Sequence, residues 1–320
     1  MTLATAVSYP LPMQSIAVIR SLLESRGLRP KHRLGQNFLH DHNHLRNLVA
    51  QAGVEPGDVV LEVGPGTGTL TEALLEAGAQ VIACELDPDM AAILRERIGD
   101  AITLIEGDAL DRGRTLNPAI VDALAGRPFK LVANLPYQAA SPLMSCLVID
   151  HAPDRDGGAG GAARGGACLG QWVTIQKEVA DRLVAPPGNK TYGPLGIIIQ
   201  ALASVDRFAV VPPACFWPQP KVTSAMVEIK PRSLASNADA DGAANALATA
   251  DHRRAFARFI TDLFSKRRKQ LGAIFGRSRE FPDGIDPADR PERLAVSQLI
   301  ELFAWSREDD SSTPSDPADA

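Results

Sequence analysis

Val60-Leu61-Glu62-Val63-Gly64-Pro65-Gly66-Thr67-Gly68 is an apolar, largely β-branched run that breaks into glycine at every second position. The pattern predicts a buried strand, a tight turn and then a helix beginning near Leu70. Glycine in such a turn lets the backbone approach a ligand closely or adopt positive φ. A dinucleotide fingerprint would place its third glycine at position 69, which is threonine here, and no P-loop lysine follows. A bound nicotinamide dinucleotide or nucleoside triphosphate is therefore disfavoured.

The pattern repeats outward from this point. Short apolar runs over 80–83, 102–105 and 129–133 alternate with helical spacing over 70–77, 90–98 and 118–124. Such alternation predicts an α/β fold, a doubly wound parallel sheet with helices on both faces. Right-handed crossovers put the loops that follow the strands on one edge, where open sheets bind ligands. Each of four successive strand ends offers a small or polar group there: Gly64, Glu85, Asp108 and Asn134. Glu85 lies 21 residues beyond Gly64, the spacing at which a carboxylate accepts from ribose hydroxyls. Asp108 is suited to accept from an exocyclic amine.

The chain has 320 residues, 45% hydrophobic and 22% charged, which suits one large domain plus a smaller one. Residues 1–25 are expected to form an N-terminal extension, with helical spacing over 14–26. Residues 26–232 should form the sheet domain, interrupted by the Gly/Ala-rich insertion 154–170. Two strands within 204–231 are expected to meet at a Pro-rich turn. A linker over 233–250, a small all-helical domain over 251–307 and an acidic disordered tail over 308–320 complete the division. No run of about 18 apolar residues predicts a transmembrane helix, and the four scattered cysteines suggest neither a disulfide framework nor a zinc site. No secretory signal is read, so a reducing cytoplasm is the expected location.

Asn134-Leu135-Pro136-Tyr137 carries the most chemical information. It resembles the Asn/Asp-Pro-Pro-Tyr/Phe and Asn-Leu-Pro-Tyr motifs of enzymes that methylate planar amines, chiefly N6 of an adenine base, whose lone pair is delocalised into the ring and is a poor nucleophile. The Asn134 side-chain oxygen and a backbone carbonyl of Leu135 or Pro136 can accept the amine's two N–H bonds and favour a pyramidal nitrogen. Tyr137 can stack on the base, which must be flipped out or already single-stranded.

The glycine loop, Glu85 and Asp108 together resemble the S-adenosylmethionine site of class I (Rossmann-like) methyltransferases. The Asn-Leu-Pro-Tyr segment, Leu34-Gly35-Gln36-Asn37-Phe38-Leu39 and Phe216-Trp217-Pro218-Gln219-Pro220-Lys221-Val222-Thr223-Ser224-Ala225 extend the likeness to the ribosomal RNA adenine dimethyltransferases. Gln176-Lys177-Glu178-Val179 and Tyr192-Gly193 resemble the small-subunit branch more than the erythromycin-resistance branch. The resemblance implies S-adenosylmethionine held by Asn37, Leu39, Gly64, Gly66, Glu85, Asp108 and Asn134. It implies base positioning by Asn134, Leu135, Pro136, Tyr137 and Phe216. It also implies N6,N6-dimethylation of two adjacent adenosines near the 3′ end of 16S rRNA, on immature small ribosomal subunits, by a monomer without metal. Two alternatives stay open: large-subunit rRNA methylation, and a ribosome-assembly role with incidental methylation. Gln138-Ala139-Ala140 departs from the bulkier residues usual after this tyrosine.

A net charge of −5 argues mildly against nucleic acid, but its distribution argues for it. Residues 251–280 carry nine Lys/Arg against three Asp/Glu. Lys266, Arg267, Arg268 and Lys269 are expected on a helix facing RNA phosphates. Arg29, Lys31, Arg33 and Lys221 are expected to add to that surface. His40, His42 and His44 alternate, which on a helix points them apart, so no metal is expected there.

Overall fold

The computed structural model describes residues 14–112, 115–153, 165–232 and 245–312. In chain order the elements are α1 (Ile16–Glu24), β1 (Phe38–Leu39), α2 (His42–Gln51), β2 (Val59–Val63), α3 (Thr69–Glu76), β3 (Gln80–Glu85), α4 (Pro88–Arg97) and β4 (Thr103–Glu106). Next come β5 (Leu110–Asp111), β6 (Thr115–Leu116), α5 (Pro118–Leu124), β7 (Phe129–Asn134), α6 (Tyr137–Asp150), β8 (Cys168–Gln176), α7 (Lys177–Leu183) and α8 (Pro194–Leu202). The chain ends with β9 (Ala203–Val211), β10 (Phe216–Trp217), β11 (Ser224–Pro231), α9 (Ala250–Ser265), α10 (Leu271–Phe275) and α11 (Val296–Ser312).

The main sheet has seven strands in the order β4-β3-β2-β7-β8-β11-β9. Its first five strands pair in parallel, and β11 pairs antiparallel with β8 and β9. The sheet is thus mixed, with β11 running against both of its neighbours. From β2 the chain winds outward to β3 and β4, then crosses back to β7. That reversal opens a crevice at the carboxyl ends of β2 and β7. β2 is buried along its whole length, as a central parallel strand must be.

Three boundaries differ from the sequence expectation. Within the expected extension, α1 packs onto the fold through the fully buried Ile19 and Leu23. Each such burial contributes about 1.5–3 kcal/mol, enough to hold a helix too short to persist alone. Within the expected insertion, residues 154–164 lie outside the described residues, but β8 begins at Cys168, which pairs with Phe129. At the other end α11 continues through Ser312, so the first residues of the expected acidic tail are helical. The rest of that tail, 313–320, and linker residues 233–244 lie outside the described residues.

The C-terminal helices do not keep a core of their own. Phe256, Ile260, Leu263, Leu299 and Leu302 belong to the same buried cluster as Leu61, Leu131 and Leu143 of the sheet and α6. The fully buried Arg253 of α9 donates from Nε to the Ile149 carbonyl at 2.6 Å, capping the C-terminal end of α6 with positive charge. Tyr192 donates its hydroxyl to the Leu294 carbonyl at 3.0 Å. Two sequence regions therefore meet across one continuous interior.

Candidate active site

The crevice encloses a cavity of about 370 Å³ whose lining includes all four strand ends. The loop after β2 takes left-handed conformations, with φ of 71° at Gly64 and 59° at Gly66. A Cβ at Gly64 would lie 2.9 Å from Pro136 Cγ, and one at Gly66 would lie 2.9 Å from Phe38 Cε1. Both conformation and space therefore demand glycine. Glu85 closes β3, where burial raises its carboxyl above the usual range despite bonds from the Asp87 and Gly66 amides. The Gly66 N–H donates to Oε2 at 3.0 Å and the Asp87 N–H to Oε1 at 2.8 Å. Each oxygen keeps a further lone pair for a ligand. Asp108 is exposed at the cavity edge and accepts the Leu110 N–H at 3.1 Å.

The two outlying motifs come together as a small antiparallel sheet. β1 pairs with β10, setting Leu39 opposite Phe216 and Phe38 opposite Trp217. This places Asn37, Leu39 and Phe216 on the cavity wall alongside Asn134, Leu135, Pro136 and Tyr137. The Asn134 amide nitrogen donates to the Asn37 carbonyl at 3.1 Å. That bond assigns the amide, leaving Oδ1 as the end able to accept from a substrate. The Pro136 carbonyl already accepts the Ala139 and Ala140 N–H groups as α6 begins. Of the two carbonyls considered from sequence, Leu135 is the one with acceptor capacity to spare. Tyr137 Oη lies 3.5 Å from Ser224 Oγ, anchoring the ring against β11.

Other lining residues were not signalled as ligand contacts. Gln36 and Thr67 line the cavity, and Leu86 stands half-exposed beside Glu85. An apolar residue after a strand-ending acid was the only available hint. Glu62 is more informative. It interrupts the apolar run of β2, is wholly buried and lines the cavity. Burial pushes its carboxyl up to about 8, although the Thr71 hydroxyl donates to Oε2 at 2.7 Å. No lysine, arginine or histidine lines the cavity among the described residues.

The basic residues need correction. Lys31 does not face outward: its Nζ lies 2.6 Å from Asp87 Oδ1 and 2.6 Å from Asp89 Oδ2. Those bonds raise its pKa and keep the ammonium charged, so it buttresses the turn after Glu85 through the two carboxylates. Lys266 to Lys269 do not lie on a helix. α9 stops at Ser265 and the run forms an exposed turn, with the Arg267 N–H donating to the Phe264 carbonyl. The chain turns there because Leu271, next in line, is fully buried. Arg267 pairs with Glu292 at 3.2 Å. Lys266, Arg268, Lys269, Arg29, Arg33 and Lys221 are exposed.

His42 and His44 have different partners. His42 Nε2 approaches the Gln14 carbonyl at 3.2 Å, whereas His44 Nδ1 meets Asp41 Oδ1 at 2.9 Å. Asp41, His44 and Cys215 gather possible ligand atoms within 4.8 Å. The same Asp41 oxygen already caps α2 by accepting the Asn43 and His44 N–H groups.

The doubly wound sheet, with a cavity lined by carboxyl groups at its switch point, has the fold of a class I methyltransferase. The chain belongs to the ribosomal RNA adenine dimethylase family, whose model matches residues 27–306. It is 36% identical over 309 residues to the ribosomal RNA small subunit methyltransferase A of Phenylobacterium zucineum, spanning 92% of this chain and 95% of that one. Its fold resembles that of a dimethyladenosine transferase from Plasmodium falciparum, with TM-score 0.60, 22% identity and coverage of 85% and 98% of the two chains. It also resembles the 23S rRNA methyltransferase ErmE, with TM-score 0.56, 21% identity and coverage of 83% and 98%. The methyl donor is S-adenosylmethionine. The residues present fit that sulfonium cation: carboxyl groups line the cavity, and among the described residues no cationic side chain does. No helix among the described residues is long and apolar enough to cross a membrane.

Proposed function

We propose that this protein dimethylates N6 of two adjacent adenosines near the 3′ end of 16S rRNA, acting as a monomer in the cytoplasm on immature small ribosomal subunits. The observation that carries the chemistry is the Asn134 amide, held by the Asn37 carbonyl so that its oxygen is free. The choice of the small subunit rests on the likeness to the Phenylobacterium relative over nearly the whole of both chains. The fold is shared with a dimethyladenosine transferase and with a 23S rRNA methyltransferase and makes no choice of subunit.

In this reading the Glu85 carboxylate holds the ribose hydroxyls, Asp108 accepts from the cofactor's adenine amine, and Gly64 and Gly66 admit the methionine part. Bound S-adenosylmethionine supplies an electrophilic methyl group on a good leaving group, so positioning is most of the remaining task. Asn134 Oδ1 and the Leu135 carbonyl accept the two N–H bonds of the target amine and aim its lone pair. Tyr137 and Phe216 hold the two faces of the base, a contact worth about 1–3 kcal/mol per stacked base. The alkylated aromatic amine is a strong acid and passes its proton to water. The second transfer needs only one of the two acceptors, because one N–H has become N–CH₃.

Transfer of labelled methyl to purified unmethylated small subunits, large subunits and free rRNAs, followed by nucleoside analysis, tests this. Dimethyladenosine confined to the small-subunit particle is expected. Label on free large-subunit RNA would move the chain to the other branch. Cofactor binding with no label anywhere would favour an assembly role.

The exposed basic turn adds a second expectation. Arg268→Glu combined with Lys269→Glu should weaken RNA binding more than tenfold near 0.1 M salt and flatten the salt dependence by about 1.5 in log–log slope. S-adenosylmethionine affinity should not change. Parallel loss of both affinities would count against phosphate contact at this turn.

A further inference from the structure

The residues before the family's first motif make contacts that methyl transfer does not account for. Gln14 is fully buried, and its Nε2 donates to the Thr67 carbonyl at 2.9 Å and to Glu72 Oε1 at 3.1 Å. Thr67 belongs to the glycine loop, and Glu72 lies in the helix that follows it. Glu72 also pairs with Arg97 of α4, so Gln14 joins a buried network spanning α3 and α4. Two residues further on, α1 begins and buries Ile19 and Leu23 against Phe38, Met90 and Ile93. The Phe38 ring is the group that would meet a Cβ at Gly66. Arg20 lies over the Trp217 ring at 5.3 Å, and Trp217 stacks on Phe38 with centroids 6.2 Å apart. Residues 14–24 thus touch the outside of the loop at Thr67 and, through Phe38, at Gly66. None of them lines the cavity.

We propose that residues 14–24 form an outer strap that holds the glycine loop in its binding-competent shape, with Gln14 a positioning residue for S-adenosylmethionine. This rests on the cavity being the S-adenosylmethionine site. The loop is fixed on its inner side by the bond from the Gly66 N–H to Glu85. On its outer side the Thr67 carbonyl depends on Gln14. A loop freed on one side spends less time in the competent shape, and apparent affinity falls in proportion to that fraction. Once the cofactor is bound the loop is set, so turnover at saturation is unaffected. By thermodynamic reciprocity, cofactor binding must in turn order the strap.

Two measurements on the full chain test this. Gln14→Met keeps the length and bulk of the side chain but removes the donor. Calorimetric titration with S-adenosylmethionine should show its Kd raised about tenfold, the gain expected from a buried bond of this kind. Turnover at saturating cofactor and the KM for RNA should stay within twofold of the parent. In the unsubstituted protein, hydrogen exchange of the amides from 16 to 24 should slow several-fold on adding S-adenosylmethionine, although none of these residues reaches the cavity. This second measurement stands even where the variant does not fold. An unchanged Kd in a folded variant, or unchanged exchange over 16–24 in the cofactor-bound protein, overturns the strap. Failure of the parent protein to bind S-adenosylmethionine would instead overturn the cavity assignment, and the strap with it.

Discussion

Asn134→Ala is expected to lower methyl transfer about a thousandfold while leaving the Kd for S-adenosylmethionine within a few-fold of the parent. The side chain contributes a fixed acceptor where the amine must be held, and removing one preorganised polar group of this kind costs about 10²–10³ in turnover. The structure sharpens the expectation, because the amide is itself oriented: its nitrogen is committed to the Asn37 carbonyl at 3.1 Å. Asn134→Asp should therefore not rescue the enzyme fully. A carboxylate cannot donate to Asn37, and it would be repelled from that carbonyl and leave the aligned position. Single-turnover transfer to saturating RNA separates this loss from binding. Unchanged single-turnover rates in the alanine variant would remove Asn134 from the chemistry.

Glu62→Gln is expected to stabilise the fold at pH 8 by several kcal/mol and to flatten its pH dependence between about pH 5 and 8. Burial holds the Glu62 carboxyl at about 8, against an ordinary 4.5. Between those values the folded protein keeps a proton that the unfolded chain has released. Stability then falls as pH rises, by about 1.4 kcal/mol for each pH unit, and the contribution is constant below 4.5. Glutamine keeps an oxygen for the Thr71 hydroxyl and has no proton to lose. Urea unfolding of both proteins across this range provides the check, and parallel curves would show that Glu62 is not a buried neutral acid. Glu85 is raised in the same direction by its burial, so the variant's curve should keep some slope.

Lys31 and Gln14 show where sequence reading stopped. Lys31 sits in a basic run that looks like a phosphate contact, and only the fold brings Asp87 and Asp89, more than 50 residues away, to its ammonium group. Gln14 carries no local signal at all, since a glutamine before a helix is ordinary. Its importance comes from a carbonyl 53 residues further along the chain. The basic turn at 266–269 failed for a related reason. Composition identified the charge, but the burial of Leu271 decided that the backbone turns there instead of continuing as a helix.

The parallel part of the sheet, the glycine loop and the four strand-end groups were legible because they depend on local causes. Apolar runs set the strands, glycine alone tolerates the turn, and each strand end is fixed by where its run stops. The pairing of 38–39 with 216–217, which builds one wall of the site, was not legible. Nor were the shared interior of the sheet and the C-terminal helices, the neutral state of Glu62 or the orientation of the Asn134 amide. Each of these depends on groups distant in the chain coming within contact distance, and on the water excluded when they do. The residues of this protein thus determined by themselves which chemistry to look for, whereas tertiary packing decided which charges are spent inside the fold and which atoms remain free to act.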